Sequence, residues 1–145
     1  IMSLKDGQKK MSKTELSDLS RINLTDDKEQ IINKINKAKT DSLPIPSTVQ
    51  ELNERPEAKN LIGIYSSLNN STLENSIQEF SGKNFSDFKD NLSQILVDKV
   101  YPISLEIRKL LSEKSYLNKI LEDSCKKEDE ITSKKIKKIH DILGF

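Results

Sequence analysis

Cysteine is nearly absent from this sequence, and the absence limits both its compartment and its chemistry. Cys125 is the only cysteine in 145 residues, so no disulfide can form within the chain and a reducing compartment is expected. One thiol and one histidine, His140, do not have the spacing of a metal-ligand set. We therefore expect no metal site built from the chain's own residues, and we expect ordinary structural roles for both side chains.

Glycine and proline are also scarce, with four of each, which argues against a fold rich in tight β-turns. Hydrophobic residues make up 34% of the chain and charged residues 32%, so a core requires apolar side chains to be gathered on faces. Amphipathic helices provide such faces, whereas buried parallel strands need continuous apolar runs. We predict an all-α fold, a helical bundle preceded by an irregular loop.

Long hydrophobic runs and an excess of one charge are missing as well. No stretch approaches the roughly 18 apolar residues of a membrane-spanning helix, and no signal-peptide pattern is present. We expect a soluble, cytoplasmic protein without membrane contact. Lysine and arginine number 24 against 23 aspartate and glutamate residues, so the net charge gives no support for a nucleic-acid partner. Because Ile1 precedes Met2, we expect a tag remnant or a chain cut from a longer one.

Two regions can be distinguished along the chain. Residues 1–25 have no helical period; a turn is predicted at Lys5-Asp6-Gly7 and a short extended segment at residues 21–24, where polar and apolar residues alternate. Residues 26–145 carry repeated helix signals and are predicted to form a helical domain. Within it, residues 41–55 contain two prolines and no period, which indicates a loop.

Capping and helix-breaking residues predict where the helices begin and end. The predicted starts are Asp26 with Glu29, Pro56, Ser71 with Glu74, and Ser86. The short helix that begins at Ser71 is predicted to stop at Gly82. The first helix is predicted to bury Ile31, Ile32 and Ile35 and to expose Lys34. The longest helix is expected to kink near Pro102, and two last helices, 115–121 and 128–143, are predicted before a stop at Gly144.

The stretch Lys10-Met11-Ser12-Lys13-Thr14 is the most informative part of the sequence about chemical function. Two ammonium groups three residues apart, with hydroxyls beside them, can surround a phosphate chain on a flexible loop. Lysine suits this role because it is a compact charge on a long stem. Such charges stabilise a reaction in which negative charge builds on a leaving pyrophosphate. By itself the string is only suggestive, and a solvated basic loop is the default interpretation of its charges.

This stretch resembles the KMSKS signature of class I aminoacyl-tRNA synthetases, with Thr14 in place of the last serine. Four further segments are similar to bacterial-type tryptophanyl-tRNA synthetases, in the same order and at the same spacing: 20–24, 37–42, 55–61 and 82–89. The similarity runs to Gly144 and Phe145 and covers essentially the whole chain. The chain resembles the C-terminal part of that family, and it lacks the histidine-rich first signature of the nucleotide-binding half.

The resemblance implies ATP-dependent ligation of L-tryptophan to tRNA(Trp) through an enzyme-bound adenylate. It implies that Lys10 and Lys13 hold the β- and γ-phosphates of ATP, that Ser12 and Thr14 add hydrogen bonds, and that the backbone around Met11 lies against the adenine. Mg²⁺ would accompany the nucleotide. The full enzyme would be a homodimer with an α/β, Rossmann-type catalytic domain beside this helical region. Because the tryptophan pocket is missing, we expect the chain alone to be inactive.

Lysines near the C-terminal end form a second candidate site. In the family this end approaches the anticodon, which implies tRNA contacts for Lys126, Lys127, Lys134, Lys135, Lys137 and Lys138. A solvated face opposed by Glu128, Asp129 and Glu130 accounts for the same lysines about as well. Two other functions stay open at this point. One is a tyrosyl-tRNA synthetase fragment, which shares the loop signature, and the other is a non-catalytic helical RNA-binding or adaptor module.

Overall fold

The computed structural model describes residues 1–144 and consists of a short hairpin, one 3₁₀ turn and six α-helices. The elements are β1 (Met2–Ser3), β2 (Asp6–Lys10), the 3₁₀ turn (Asp18–Ser20), α1 (Lys28–Asn36), α2 (Val49–Asn53), α3 (Pro56–Leu68), α4 (Leu73–Phe80), α5 (Phe85–Ser112) and α6 (Lys114–Leu143). The only sheet in this described range is the antiparallel pair β1–β2. The predicted all-α fold is confirmed.

The chain divides into two compact units, the first comprising Ile1–Leu105 and the second beginning at Glu106. No helix in the described part of the chain is long and apolar enough to cross a membrane. In the first unit, α3 contacts β2, α2 and α4. The hairpin therefore packs in the same unit as the helices that follow it.

The extended segment of the N-terminal region is not where the alternation predicted it. Residues 21–24 are irregular, whereas β1 and β2 lie earlier, with Met2 opposite Lys10 and a bulge between Met2 and Ser3. The hairpin is fixed on α3 by Asn60, whose side-chain amide accepts from Met2 N–H (2.9 Å) and donates to the Met2 carbonyl (2.9 Å). This pairing depends on a residue about sixty positions away, so a local pattern could not predict it.

Two predicted helix starts were wrong by one residue. The N-cap of α1 is Asp27 and not Asp26: its carboxylate accepts from Gln30 N–H at 2.8 Å, and the Gln30 side chain accepts from Asp27 N–H at 2.9 Å. The N-cap of α4 is Thr72 and not Ser71. A capping carboxylate or hydroxyl must reach the third helical N–H, and adjacent candidates of similar type cannot be told apart by spacing alone.

The start of α5 was also misplaced, because the helix already includes Phe85 and Ser86. Asn84 lies just before it and accepts from Asp87 N–H at 2.9 Å. The predicted start at Pro56 is confirmed. The glycine stop after α4 is also confirmed, since Gly82 has φ 73°, a conformation in which a side chain would be strained.

Two other predictions about the helices were wrong. The segment predicted as a loop contains α2, which is capped by the Thr48 hydroxyl (3.2 Å to Glu51 N–H) and inserts the fully buried Leu52 into the core. The two predicted last helices are one helix, α6, which ends at Gly144 with φ 81°. α5 continues through Pro102, and the kink expected there stays a prediction.

The core of the first unit is centred on an aromatic cluster that joins three helices. Tyr65 of α3, Phe80 of α4 and Phe88 of α5 have ring centroids 4.9 to 5.6 Å apart, within the range of favourable edge-to-face contact. On α1, Ile31 is buried as predicted, but Ile32 is 41% exposed. The side chain that takes the inward position on α1 is Lys34, at 3% exposure, contrary to the prediction.

Candidate functional site

The predicted signature lies where the hairpin ends. Lys10 is the last residue of β2, and the chain then leaves the sheet through Met11, whose N–H reaches the carbonyl of Ile1 at 3.4 Å. Met11 is partly buried against the core, whereas Lys10 and Lys13 are exposed. One hydrophobic side chain thus holds the base of the loop, and both ammonium groups are open to solvent.

The two hydroxyls of the signature contact each other. The hydroxyls of Ser12 and Thr14 are hydrogen-bonded at 3.0 Å, and Thr14 N–H donates to Ser12 Oγ at 3.2 Å. This local turn satisfies a backbone donor with a side-chain oxygen. The hydroxyls predicted to bind phosphate are therefore close together.

The two lysines of the signature line different clefts. Lys10 lines a cleft of about 280 Å³ together with Lys5, Lys9 and Ser12. Lys13 lines a second cleft, of about 580 Å³, on which Ser12 also borders. Ser12 is the residue that lines both clefts.

Arg21 holds the main chain of the signature loop by hydrogen bonds, a role that no sequence motif predicted. Its Nη1 donates to the carbonyl oxygens of Ser12 (3.4 Å) and Glu15 (2.9 Å). Its Nε donates to the side-chain oxygen of Asn23 at 3.1 Å, and its Nη2 lies 3.2 Å from Asp18 Oδ1. One guanidinium thus holds the main chain on both sides of the segment that carries Lys13.

Arg21 belongs to a group of charged and polar side chains that we call the Lys34 cluster, comprising Asp18, Arg21, Asn23, Asp26 and Lys34. Lys34 Nζ is 2.6 Å from Asp26 Oδ2 and 2.7 Å from Asp18 Oδ2. Asn23 donates from its backbone to Asp26 at 2.8 Å and from its side chain to Asp18 at 2.8 Å. The hydrogen bonds from Lys34 and Asn23 hold the pKa of the Asp18 carboxyl below its ordinary value of 3.8. This cluster was not predicted from the sequence.

The segments that carry the family resemblance also contact one another. The guanidinium of Arg55 forms an ion pair with Asp41 and lies 5.6 Å from the centre of the Phe85 ring. Lys89 donates to the carbonyl of Ala38 at 2.7 Å, beyond the end of α1. These contacts set the path of the chain between helices and are distant in sequence from the signature.

The charged residues at the C-terminal end lie on α6. All six lysines predicted to contact tRNA are exposed. At about 3.6 residues per turn, five of them lie within roughly a third of the circumference: Lys126, Lys127, Lys134, Lys137 and Lys138. Glu130 and Asp141 share that side of the helix, which lowers its positive charge. This side of α6 therefore carries mainly positive charge together with acidic side chains.

Metal ligands were not predicted, and residues 1–144 contain no group of three or more His, Cys, Asp or Glu side chains that could hold a metal ion. Mg²⁺ is bound in proteins by carboxylates together with phosphate oxygens and water. The residues present do not form such a carboxylate set.

Comparison with known proteins identifies the family. The sequence model described as "tRNA synthetases class I (W and Y)" matches residues 1–100. The chain belongs to this family. It is 46% identical over all 145 residues to "Tryptophan--tRNA ligase" of Brucella melitensis and covers 41% of that protein. It is 43% identical, again over its whole length, to the protein of the same name from Rickettsia conorii and covers 43% of it.

A solved structure agrees with these relatives. The crystal structure of tryptophanyl-tRNA synthetase from Mycoplasma pneumoniae superimposes with a TM-score of 0.60 at 28% sequence identity, over 75% of this chain and 35% of that one. The chain spans about two fifths of the length of the curated relatives. The resemblance to bacterial-type tryptophanyl-tRNA synthetases is thereby confirmed, and the names of these relatives favour neither a tyrosyl-tRNA synthetase fragment nor an adaptor module.

Proposed function

We propose that this chain is the C-terminal part of a tryptophan–tRNA ligase and supplies its phosphate-binding loop. The observation that carries the proposal is the 46% identity to a Tryptophan--tRNA ligase, in an alignment that spans all 145 residues of this chain. The exposed position of Lys10 and Lys13 on a loop after β2 supports it. Both lysines are available to a nucleotide bound by the rest of the enzyme.

In the proposed reaction the carboxylate of L-tryptophan attacks the α-phosphorus of ATP. The bond from the α-phosphorus to the oxygen that bridges to the β-phosphate breaks, pyrophosphate leaves and tryptophanyl-adenylate remains. A terminal ribose hydroxyl of tRNA(Trp) then attacks the adenylate carbonyl, forms the ester and releases AMP. Negative charge builds on the leaving pyrophosphate, so ammonium groups placed beside it stabilise the transition state more than the ground state. Lys10 and Lys13 take this role, with Ser12 and Thr14 as hydrogen-bond partners of the phosphates and the backbone of Met11 against the adenine. Mg²⁺ would enter with ATP.

The loop that carries Lys10 and Lys13 is proposed to move when the nucleotide binds. Lys10 and Lys13 line separate clefts, and Leu16 just beyond the signature is fully exposed, at 101%. The side chains of residues 13–16 are exposed. They can therefore close over a nucleotide at little cost in packing, while Arg21 keeps its hydrogen bonds to the main chain of Ser12 and Glu15. Closure would bring the second ammonium group to the phosphate chain that the first one already contacts.

The helical region is proposed to face tRNA. The lysines of α6 supply donors for phosphate oxygens along one side of the helix, where Glu130 and Asp141 moderate the charge. Contacts of this kind give affinity and little sequence specificity. A homodimer and a cytoplasmic location complete the proposal for the whole enzyme.

The test is amino-acid-dependent ATP–pyrophosphate exchange. The whole protein that carries this chain should exchange pyrophosphate with tryptophan and not with tyrosine, which separates the proposal from a tyrosyl-tRNA synthetase. The 145-residue chain alone should show no exchange, because the tryptophan pocket is expected in the remaining three fifths of the enzyme. Exchange with tyrosine only, or strong exchange by the chain alone, would refute the assignment.

A further inference from the structure

The strongest unassigned feature of the molecule is the contact between Arg21 and the main chain of the signature loop. Nη1 of this guanidinium donates to the carbonyls of Ser12 and Glu15, the residues that flank Lys13 and Thr14. Two fixed carbonyls determine the direction of the two residues between them. The position of the Lys13 ammonium group therefore depends on Arg21.

Arg21 is itself held by the other charged side chains of the Lys34 cluster. Its side chain is 18% exposed and pairs with Asp18, which also receives Lys34 at 2.7 Å. Lys34 is anchored in turn by Asp26, and these two side chains are each 4% exposed. A planar, fork-shaped donor loses less freedom for each bond formed than a flexible ammonium group would. The Lys34 cluster thus connects a buried part of α1 to an exposed loop.

We propose that Arg21, oriented by Asp18 and Lys34, is a positioning residue that sets where Lys13 meets the phosphates of ATP. This inference rests on the proposed function. Arg21 touches no reacting atom in it and acts only through the loop. An error of about 1 Å in the position of a charge donor can reduce a rate on the order of a hundredfold. The cluster therefore matters for rate as well as for stability.

The chain contains a matched control for Arg21. Arg55 is also an arginine paired with an aspartate, Asp41, and it also donates to two carbonyls, those of Pro44 (2.7 Å) and Leu43 (3.2 Å). It fixes a different segment, which carries no signature lysine. Replacement of either arginine by methionine removes two hydrogen bonds to carbonyls and an ion pair with an aspartate, but only Arg21 holds the signature loop.

The experiment is a double-mutant cycle in the whole ligase, with the pre-steady-state rate of adenylate formation as the readout. Arg21→Met should lower this rate tenfold to about a hundredfold and leave the binding of tryptophan within about twofold. In a Lys13→Ala background the same change should lower it less than about threefold, because coupled residues are not additive. Arg55→Met should give equal effects in both backgrounds. If Arg21→Met lowers the rate equally in both backgrounds, or does not lower it in the wild type, this inference is overturned and the proposed function is unaffected.

A second readout does not depend on activity. Cleavage after Lys13 by a lysine-specific protease should be several-fold faster in Arg21→Met than in Arg55→Met, because the released loop fits a protease site more readily. Unchanged cleavage would overturn the inference. If Arg21→Met does not fold, Arg21→Lys is used with the same cycle, since it keeps the charge but cannot span both carbonyls. If Lys13→Ala leaves the rate unchanged, the proposed function fails, and the inference fails with it.

Discussion

At the residue scale, the most unusual side chain is a buried lysine. Lys34 lies between the carboxylates of Asp26 and Asp18, at 2.6 and 2.7 Å. Its removal would leave the buried Asp26 carboxylate without its cation, whereas the half-exposed Asp18 would keep its ion pair with Arg21. Loss of one partner from such a group is strongly destabilising because the remaining charge stays desolvated.

We predict that Lys34→Met lowers the free energy of unfolding by about 3 kcal/mol, at the lower end for a buried pair because Asp18 is partly solvated. Urea denaturation followed by circular dichroism measures it. The control is Lys37→Met, an exposed residue at the end of the same helix, which should change stability by less than about 0.5 kcal/mol. Equal stabilities of the two variants would show that the cluster contributes little.

A second prediction at this scale concerns acid. The hydrogen bond from Arg55 holds the pKa of the Asp41 carboxyl below its ordinary value of 3.8. A carboxyl whose pKa is lower in the folded state contributes stability above its unfolded pKa and loses it as pH falls through the folded value. Stability of the wild type should therefore fall on acidification below about pH 4. The stability of the Asp41→Asn variant should fall less steeply over the same pH range. Identical slopes of unfolding free energy against pH, measured by urea titration of the two proteins, would contradict this.

At the scale of elements, the hairpin depends on close contact with α3. A Cβ added to Gly7 would lie 2.4 to 2.6 Å from backbone atoms of Pro56 and Glu57. Backbone atoms at a helix start cannot move aside as a flexible side chain can. Gly7 thus permits an approach that no larger residue allows.

We predict that Gly7→Ala destabilises the chain by about 2 kcal/mol, as overpacking does. Gly63→Ala is the matched control, because a Cβ at that position in α3 would meet nothing within 4 Å. It should stabilise the chain by about 0.5–1 kcal/mol, since alanine favours helix more than glycine. Thermal unfolding distinguishes the two changes, and a neutral Gly7→Ala would show that the hairpin is loosely attached.

The sequence allowed the helices to be predicted better than their ends. Periodicity indicated α3, α4 and α5, and Pro56 and Gly82 were correct boundaries because few residues substitute for them in these roles. Asp27 and Thr72 were missed because a neighbouring side chain of similar type satisfied the same spacing rule. Lys34 was placed on the exposed side because only tertiary contacts with Asp18 and Asp26 make its burial favourable.

At the scale of the whole molecule, the chain represents about two fifths of its curated relatives. The family could be recognised from the sequence because it depends on the order of residues, whereas the role of the signature stays a prediction. Arg21 could not be recognised as a support of the loop. Its hydrogen bonds go to the main-chain carbonyls of Ser12 and Glu15, which every residue type has, so the sequence at those positions does not indicate them. The lysines of α6 could be located but not assigned a partner.

The most direct test of the proposed function is the effect of Lys13→Ala on adenylate formation in the whole enzyme. The ammonium group of Lys13 is exposed on the loop and is proposed to meet the charge that develops on pyrophosphate. By analogy with loss of one preorganised donor, the rate should fall about a hundredfold to a thousandfold, or roughly 3–4 kcal/mol. Tryptophan binding should change little, and Lys10→Ala should cost less if Lys10 chiefly orients ATP. Adenylate formation by Lys13→Ala at near the wild-type rate would contradict the proposed role of the loop.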